Sequence, residues 1–178
     1  YYGAWLSIVG QQFPRTIFVD GFSGPGKYLG GEPGSPITVL REAEKVLSRV
    51  TQKLPLTLRA EHWFIEEDSV RKDHLEAEIA AVAFSDPRLV IHPPLLGAFE
   101  EHIRIILAAL PAAAWIPMLV FIDPFGAKGF SMATIETVLK RNAAEVFLLL
   151  DVDGIDRLLM AWNEHDNKRL VTSIFGVP

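Results

Sequence analysis

Short apolar runs alternate with longer segments of helical periodicity along this chain. Five of the runs are predicted strands, and most of these are continuously apolar, which is typical of strands covered on both faces of a parallel sheet. They span residues 16–20, 62–66, 89–92, 118–123 and 146–151. Because strands alternate with helical segments, the pattern predicts an α/β fold, a doubly wound and mostly parallel sheet with helices on both faces.

Polar residues mark where the predicted helices begin. Ser35 is expected to cap a helix whose first turn holds Pro36, Asp68 or Ser69 to cap the next, and Ser131 a later one. The apolar positions expected to face the sheet are Leu75, Ile79, Val82 and Ala83; Phe99, Ile103, Ile106, Leu107 and Leu110; Ile135, Val138 and Leu139; and Ile155, Leu158, Leu159 and Trp162.

The length of 178 residues predicts a single domain over residues 1–178. We expect both ends of the natural protein to extend further, because the opening residues have the pattern of a helix interior and Pro178 closes no element. The uncharged stretch 105–122 is interrupted by Pro111 and Pro117, so we expect a helix end and a strand rather than a membrane span.

Composition excludes several kinds of chemistry. The chain has no cysteine, which rules out disulfides, thiol catalysis and thiolate metal sites and fits a reducing compartment. The formal charge is −5 and no basic stripe is present, so bulk electrostatics do not favour nucleic acid, although they do not exclude it. The five histidines show no close ligand spacing, and no metal site is predicted.

Acidic residues end three of the predicted strands. They are Asp20, Glu66 and Asp123, and the fifth predicted strand ends in a fourth acid, Asp151. In doubly wound sheets, ligands bind outside the carboxyl ends of the strands, where the strand order reverses. These three acids are therefore the first candidates for chemistry, and ordinary capping of strand ends is the alternative role for each of them.

A glycine-rich turn, DGFSGPGKY, follows the first strand at residues 20–28. A dinucleotide fingerprint needs a third glycine, where this chain has Leu29. A phosphate-binding P-loop matches Gly21, Gly26 and Lys27 but needs Ser or Thr where Tyr28 stands. The P-loop remains a weaker alternative to an adenosyl ligand that brings no phosphate.

An adenosyl-amino-acid ligand suits the acids better. Asp20 precedes glycines at 24 and 26, where the backbone can approach a ligand closely. We expect Glu66 to be a surface carboxylate that accepts two hydrogen bonds from a ribose diol. After the fourth strand, Asp123, Pro124 and Phe125 form a DPFG segment that can hold a flat, amine-bearing group, or can simply be a turn.

These segments together resemble the three-Cys-motif partner family, whose members look like class I S-adenosylmethionine-dependent methyltransferases. The resemblance rests on DGFSGPGKY, GEPGSP, FIEED and FIDPFGAKG and covers residues 20–157. It implies a Rossmann-like fold and a bacterial cytoplasmic protein that works beside a separate protein bearing three cysteines. Asp123, Pro124 and Phe125 fall where amino-methyltransferases carry Asp-Pro-Pro-Tyr, although the second proline is missing here.

The function expected from the resemblance is transfer of a methyl group from S-adenosylmethionine to an unknown acceptor. The expected cofactor contacts are Asp20, Gly21, Ser23, Gly24, Gly26 and Glu66, and the expected catalytic residues are Asp123, Pro124 and Phe125. The alternative function is a non-catalytic accessory partner of the cysteine-motif protein that keeps the methyltransferase fold.

Overall fold

The structure is a computed structural model that describes residues 1–49, 54–111, 114–126, 128–160 and 165–176. Its strands are β1 Arg15–Asp20, β2 Arg59–Glu66, β3 Leu89–Ile91, β4 Leu95–Leu96, β5 Met118–Ile122 and β6 Ala144–Leu148. Its helices are α1 Tyr2–Val9, α2 Ser35–Leu47, α3 Ser69–Ala81, α4 Phe99–Ala108, α5 Met132–Leu139, α6 Val152–Met160 and α7 His165–Phe175.

The sheet has the order β3-β2-β1-β5-β6, and every strand pair in it is parallel. β4 also pairs with β2, at residues beyond those that β3 occupies. Along the chain, β2 and then β3 are added on one side of β1, and β5 and then β6 are added on the other side. The strand order therefore reverses between β1 and β5, which makes the crevice above these two strands the expected ligand position.

Two hydrophobic cores cover the two faces of the sheet. On one face, α1, α2 and α3 pack over β1 and β2 with a cluster that includes Trp5, Leu40, Phe64 and Leu75. On the other, α4, α5, α6 and α7 pack over β1, β5 and β6 with a cluster that includes Phe99, Ile103, Val120, Ile135, Ile155 and Ile174. The predicted α/β sheet with helices on both faces is confirmed, and its layers are consistent with a Rossmann-like doubly wound fold.

The predicted strands are each found, with shifted ends. The largest shifts are at β2, which begins three residues early at Arg59, and at β6, which begins at Ala144 and ends at Leu148, so that residues 149–151 lie beyond it. β4 was not predicted, because Leu95–Leu96 is too short to show a period. Pro93 and Pro94 separate it from β3, since proline has no N–H to donate to a ladder.

Several helix details differ from the sequence expectation. Gly34, not Ser35, is the N-cap of α2, because the Ser35 hydroxyl donates to Asp20 instead. Asp68 and Ser131 cap α3 and α5 as predicted, each accepting from a backbone N–H three residues on. Five expected core positions are not fully buried: Ala83, Leu139 and Leu159 are exposed, Ile79 is half-buried, and Val82 is half-buried at the C-cap of α3. The side chains of Leu158 and Trp162 lie outside the described residues.

No helix within the described ranges is long and apolar enough to cross a membrane. In the uncharged stretch 105–122, α4 ends at Ala108 and β5 begins at Met118. The expected helix end followed by a strand is confirmed there.

Candidate functional site

The three strand-end acids converge at the carboxyl edge of the sheet. Asp20 at the end of β1 lies in register with Phe64 of β2 and Phe121 of β5. Glu66 and Asp123 are each two residues further along their strands, so they stand beyond Asp20 on either side of it. Burial is the main reason that the pKa of Asp20 is raised, and the nearby carboxyl groups of Asp123 and Glu66 add to the effect. The edge therefore brings three acidic side chains together at the point of strand reversal, of which Glu66 pairs with Arg71.

Asp20 is completely buried, and each of its two carboxylate oxygens accepts a hydrogen bond. One carboxylate oxygen accepts from the Phe22 backbone N–H at 3.1 Å, and the other accepts from the Ser35 hydroxyl at 2.6 Å. Burial raises its pKa to about 6, although both hydrogen bonds act in the opposite direction. Asp20 therefore links the glycine-rich turn to the first residue of α2 and supports the site from the protein interior.

Ser23 and Gly21 hold the turn against the neighbouring strands. The Gly21 N–H donates to Phe121 O at 2.9 Å, and the Ser23 N–H donates to Ile65 O at 2.9 Å. The Ser23 hydroxyl accepts from the Ile65 N–H at 3.0 Å and donates to Asp20 O at 3.1 Å. Ser23 is buried, so its hydroxyl joins β1 to β2 instead of facing a ligand.

Gly24 and Gly26 have positive φ angles of 64° and 78°, which residues with a Cβ rarely adopt. The two positions differ in their surroundings. A Cβ on Gly26 would lie 2.8 Å from Leu75 of α3, whereas a Cβ on Gly24 would meet nothing within 4 Å. Gly26 is thus required for packing, and Gly24 borders open space in which a ligand can approach the backbone.

Glu66 is not the surface carboxylate that the sequence suggested, since only 6% of it is exposed. Its Oε2 accepts from the Gly24 N–H at 2.9 Å. Its Oε1 accepts from the Asp68 N–H at 2.9 Å and lies 3.2 Å from Arg71 Nε. A carboxylate offers about four acceptor positions. Protein donors occupy three of these positions. One acceptor position, on Oε2, therefore remains for a ligand hydroxyl, whereas a ribose diol was expected to use two.

The DPFG segment presents two of its three candidate residues to solvent. Asp123 is exposed, although partial burial raises its pKa above the ordinary value. Pro124 is buried and fixes the segment to the sheet edge. Phe125 is 101% exposed. A carboxylate and an unpacked ring therefore stand two residues apart at the end of β5.

The glycine-rich turn lacks the geometry of a P-loop. Lys27 pairs with Pro33 in a small antiparallel bridge, and Gly34 N–H donates to Gly26 O at 2.8 Å. α2 begins at Ser35, eight residues after Lys27, whereas a P-loop lysine opens its helix. The negative charge at this edge also opposes a polyphosphate. Among the described residues, no group of three or more His, Asp or Glu side chains is arranged to hold a metal ion.

Two hydrogen-bonding or ion-pair partners of the central acids could not be identified from the sequence. Ser35 was expected only as a helix cap, and Arg71 was not singled out. A serine fifteen residues from Asp20 and an arginine five residues from Glu66 have no distinctive spacing, so only the fold brings them together.

Two clefts in the described part of the chain lie near this edge, and none of the three acids lines either of them. One, of about 210 Å³, is apolar and lies on the α1 side of the sheet between Tyr2, Phe18, Ser35, Phe121 and Phe147. The other, of about 270 Å³, lies beyond the end of β5 beside Phe125. Comparison of the chain with protein-family models, with curated proteins and with solved structures gives no match.

Proposed function

We propose that this protein binds S-adenosylmethionine at the carboxyl edge of its sheet and transfers the methyl group to an acceptor beside Asp123. The observation that carries the proposal is the hydrogen bond from Gly24, the glycine with open space above it, to the Glu66 carboxylate, at the sheet edge where Asp20 and Asp123 also lie. Such an edge favours a cationic ligand without phosphate. S-adenosylmethionine carries a sulfonium and an ammonium group, and its adenosyl part has ribose hydroxyls for Glu66.

The residues fit this cofactor in specific ways. The open space over Gly24 permits close approach to the backbone. The free acceptor position on Glu66 Oε2 accepts one ribose hydroxyl, and Asp20 supports the turn without touching the ligand. When bound, the cofactor supplies an electrophilic methyl group.

Asp123 and Phe125 belong to the acceptor side in this proposal. The Asp123 carboxylate orients an amine by accepting its N–H, and the Phe125 ring stacks on a planar group. Holding the acceptor in line is the main contribution of the protein, because methyl displacement from a sulfonium needs little acid or base assistance. We further propose a bacterial cytoplasmic setting beside a separate three-cysteine protein, as the resemblance implies.

Calorimetric titration tests the cofactor class. We expect S-adenosylhomocysteine and S-adenosylmethionine to bind in the micromolar range, and Mg-ATP and NAD not to bind. Tight, magnesium-dependent binding of ATP without any response to S-adenosylhomocysteine would refute the proposal. Release of S-adenosylhomocysteine during incubation with candidate acceptors then separates an enzyme from a non-catalytic accessory protein.

A matched pair of glycine variants tests the position of the ligand. Gly24→Asn places a side chain in the open space, and asparagine tolerates positive φ better than most residues. We expect it to weaken S-adenosylhomocysteine binding at least tenfold with little change in melting temperature. Gly31 also has positive φ and open surroundings, but it lies at the tip of the 27–33 hairpin. Gly31→Asn should therefore leave binding unchanged, and equal effects of the two variants would place the ligand elsewhere.

A further inference from the structure

The apolar cleft on the α1 side of the sheet is walled by aromatic rings. Phe18 of β1 lies in register with Leu119 of β5, and these two side chains form part of its floor. Phe121 of β5 and Phe147 of β6 are in register with each other and form the rest. Tyr2 of α1 packs against Phe18, with ring centroids 5.0 Å apart. No lining residue is charged, so the cleft suits a neutral group, because a charge moved there from water would gain no partner of opposite sign.

The rings of the cleft are tilted against one another. The ring centroids of Phe121 and Phe147 are 5.8 Å apart with 40° between the ring planes, and those of Tyr1 and Phe147 are 5.5 Å apart with 45°. Aromatic groups favour inclined and edge-to-face arrangements at such distances, so a further flat ring can continue this packing. The cleft has a volume of about 210 Å³. A cavity of about 150 Å³ holds benzene, so two fused rings fit here.

Both tyrosine hydroxyls of the cleft donate their hydrogen to the protein. The Tyr1 hydroxyl donates to Glu145 Oε2 at 2.7 Å. The Tyr2 hydroxyl lies 2.6 Å from His62 Nε2, and His62 Nδ1 lies 3.0 Å from the carbonyl oxygen of Ala60. Since a carbonyl can only accept, Nδ1 carries the ring hydrogen and Nε2 accepts from Tyr2. Neither tyrosine therefore has a hydrogen left to donate to a ligand.

Ser35 gives the cleft a hydrogen-bond acceptor. Its hydroxyl donates to Asp20 Oδ2 at 2.6 Å, and the hydroxyl oxygen keeps a lone pair that can accept. Ser35 lines the cleft and is half-buried, so this oxygen is within reach of a ligand. The remaining hydroxyl, that of Thr38, belongs to an exposed residue and is open to water. A ligand inside the cleft thus meets an acceptor at Ser35 and should itself carry an N–H or O–H group.

We infer that the cleft binds a small, neutral aromatic molecule of one or two fused rings that donates a hydrogen bond to Ser35. Phenols and indoles have this chemistry, whereas aromatic carboxylates are charged and aromatic ethers have no donor. The cleft lies apart from the position over Gly24 that is proposed for the cofactor. The inference does not rest on the proposed function, because every feature that carries it belongs to the cleft itself.

Calorimetric titration with indole and with benzofuran tests the inference. The two molecules have nearly the same size and shape, but benzofuran has an oxygen where indole has an N–H donor. We expect indole to bind about three- to tenfold more tightly, which is the effect of one net hydrogen bond. Indole-2-carboxylate adds a charge, and cyclohexanol keeps a donor but has no aromatic ring. Each should bind about tenfold more weakly than indole, or more weakly still.

Variants locate the binding. Ser35→Ala removes the acceptor and should make indole and benzofuran bind equally, whereas a general disturbance of the cleft would weaken both and leave their ratio unchanged. Phe147→Ala removes one ring of the cleft and should weaken both molecules about threefold or more. Phe175→Ala is the control, because Phe175 has a similarly exposed ring at the end of α7, on the other face of the sheet.

Three results overturn the inference: binding of indole no tighter than that of each comparison molecule, an unchanged ratio of indole to benzofuran in Ser35→Ala, or an effect of Phe147→Ala no larger than that of Phe175→Ala. Displacement of indole by S-adenosylhomocysteine would also overturn it, since adenine would then occupy the cleft. Failure of the proposed function looks different. In that case S-adenosylhomocysteine does not bind, while the preference for indole over benzofuran persists.

Discussion

At the scale of single residues, burial of Asp20 makes stability depend on pH. The pKa is about 6 in the folded protein and about 3.9 in an unfolded chain. Between these values the folded state binds more protons, so stability is higher at low pH and falls as the pH rises through about 4 to 6. The pKa difference corresponds to about 3 kcal/mol lost by pH 7.

Asp20→Asn should remove this dependence. The amide oxygen can still accept from the Phe22 N–H, and the amide nitrogen can donate to Ser35. We expect the variant to match the unaltered protein at pH 4 and to be more stable at pH 7.5, as measured by urea unfolding at both values. His62, whose pKa burial lowers to about 4, titrates in both proteins, so its contribution cancels from the comparison. The measured quantity is the unfolding free energy of the variant minus that of the unaltered protein. If this difference does not increase from pH 4 to pH 7.5, the role given to Asp20 is wrong.

Glu66→Gln should affect both folding and binding. The amide nitrogen cannot accept from the Gly24 N–H, or from Asp68 and Arg71 if it is turned the other way. We expect unfolding free energy to fall by about 1–3 kcal/mol and S-adenosylhomocysteine affinity to fall roughly tenfold. Glu67 is exposed, and Glu67→Gln is the matched control that should change neither quantity. Equal behaviour of the two variants would remove Glu66 from the site.

At the scale of elements, Glu100 joins the beginnings of α4 and α5. It accepts from the hydroxyls of Ser131 and Thr134, the latter at 2.8 Å. Glu100→Ala leaves both hydroxyls without this acceptor, and we expect thermal unfolding to show a loss of about 1–2 kcal/mol. Glu101 is exposed on the next position of α4, so Glu101→Ala should change stability by less than about 0.5 kcal/mol. A smaller loss at Glu100 than at Glu101 would show that this junction does not stabilise the helices.

The elements themselves could be predicted from the sequence because continuous apolar runs and helical periods are local signals. Asp68 and Ser131 were correctly identified as caps for the same reason. The register of the strands was not predictable from the sequence. The burial of Glu66 and the hydrogen bond between Ser35 and Asp20 were not predictable either. These depend on which strands are neighbours and how far each extends, which no local pattern encodes. β4 and the exposure of Leu139 likewise depend on packing between elements.

At the scale of the whole molecule, the reversal of strand order between β1 and β5 determines where a ligand can bind. It brings Asp20 and Asp123 together although about a hundred residues separate them in the sequence. In the proposed function, cofactor and acceptor lie on opposite sides of this crevice, the cofactor over β1 and β2 and the acceptor over β5 and β6. The apolar cleft beside Tyr2 and Phe147 is the competing position for a ligand.

The proposed adenosyl ligand lies over Gly24 with its ribose at Glu66, and a crystal structure of the complex with S-adenosylhomocysteine shows whether it does. We expect the nucleoside to lie in the open space above Gly24, with one ribose hydroxyl within hydrogen-bonding distance of Glu66 Oε2. A ligand in the apolar cleft beside Tyr2, or crystals that take up no ligand at saturating concentration, would contradict the account.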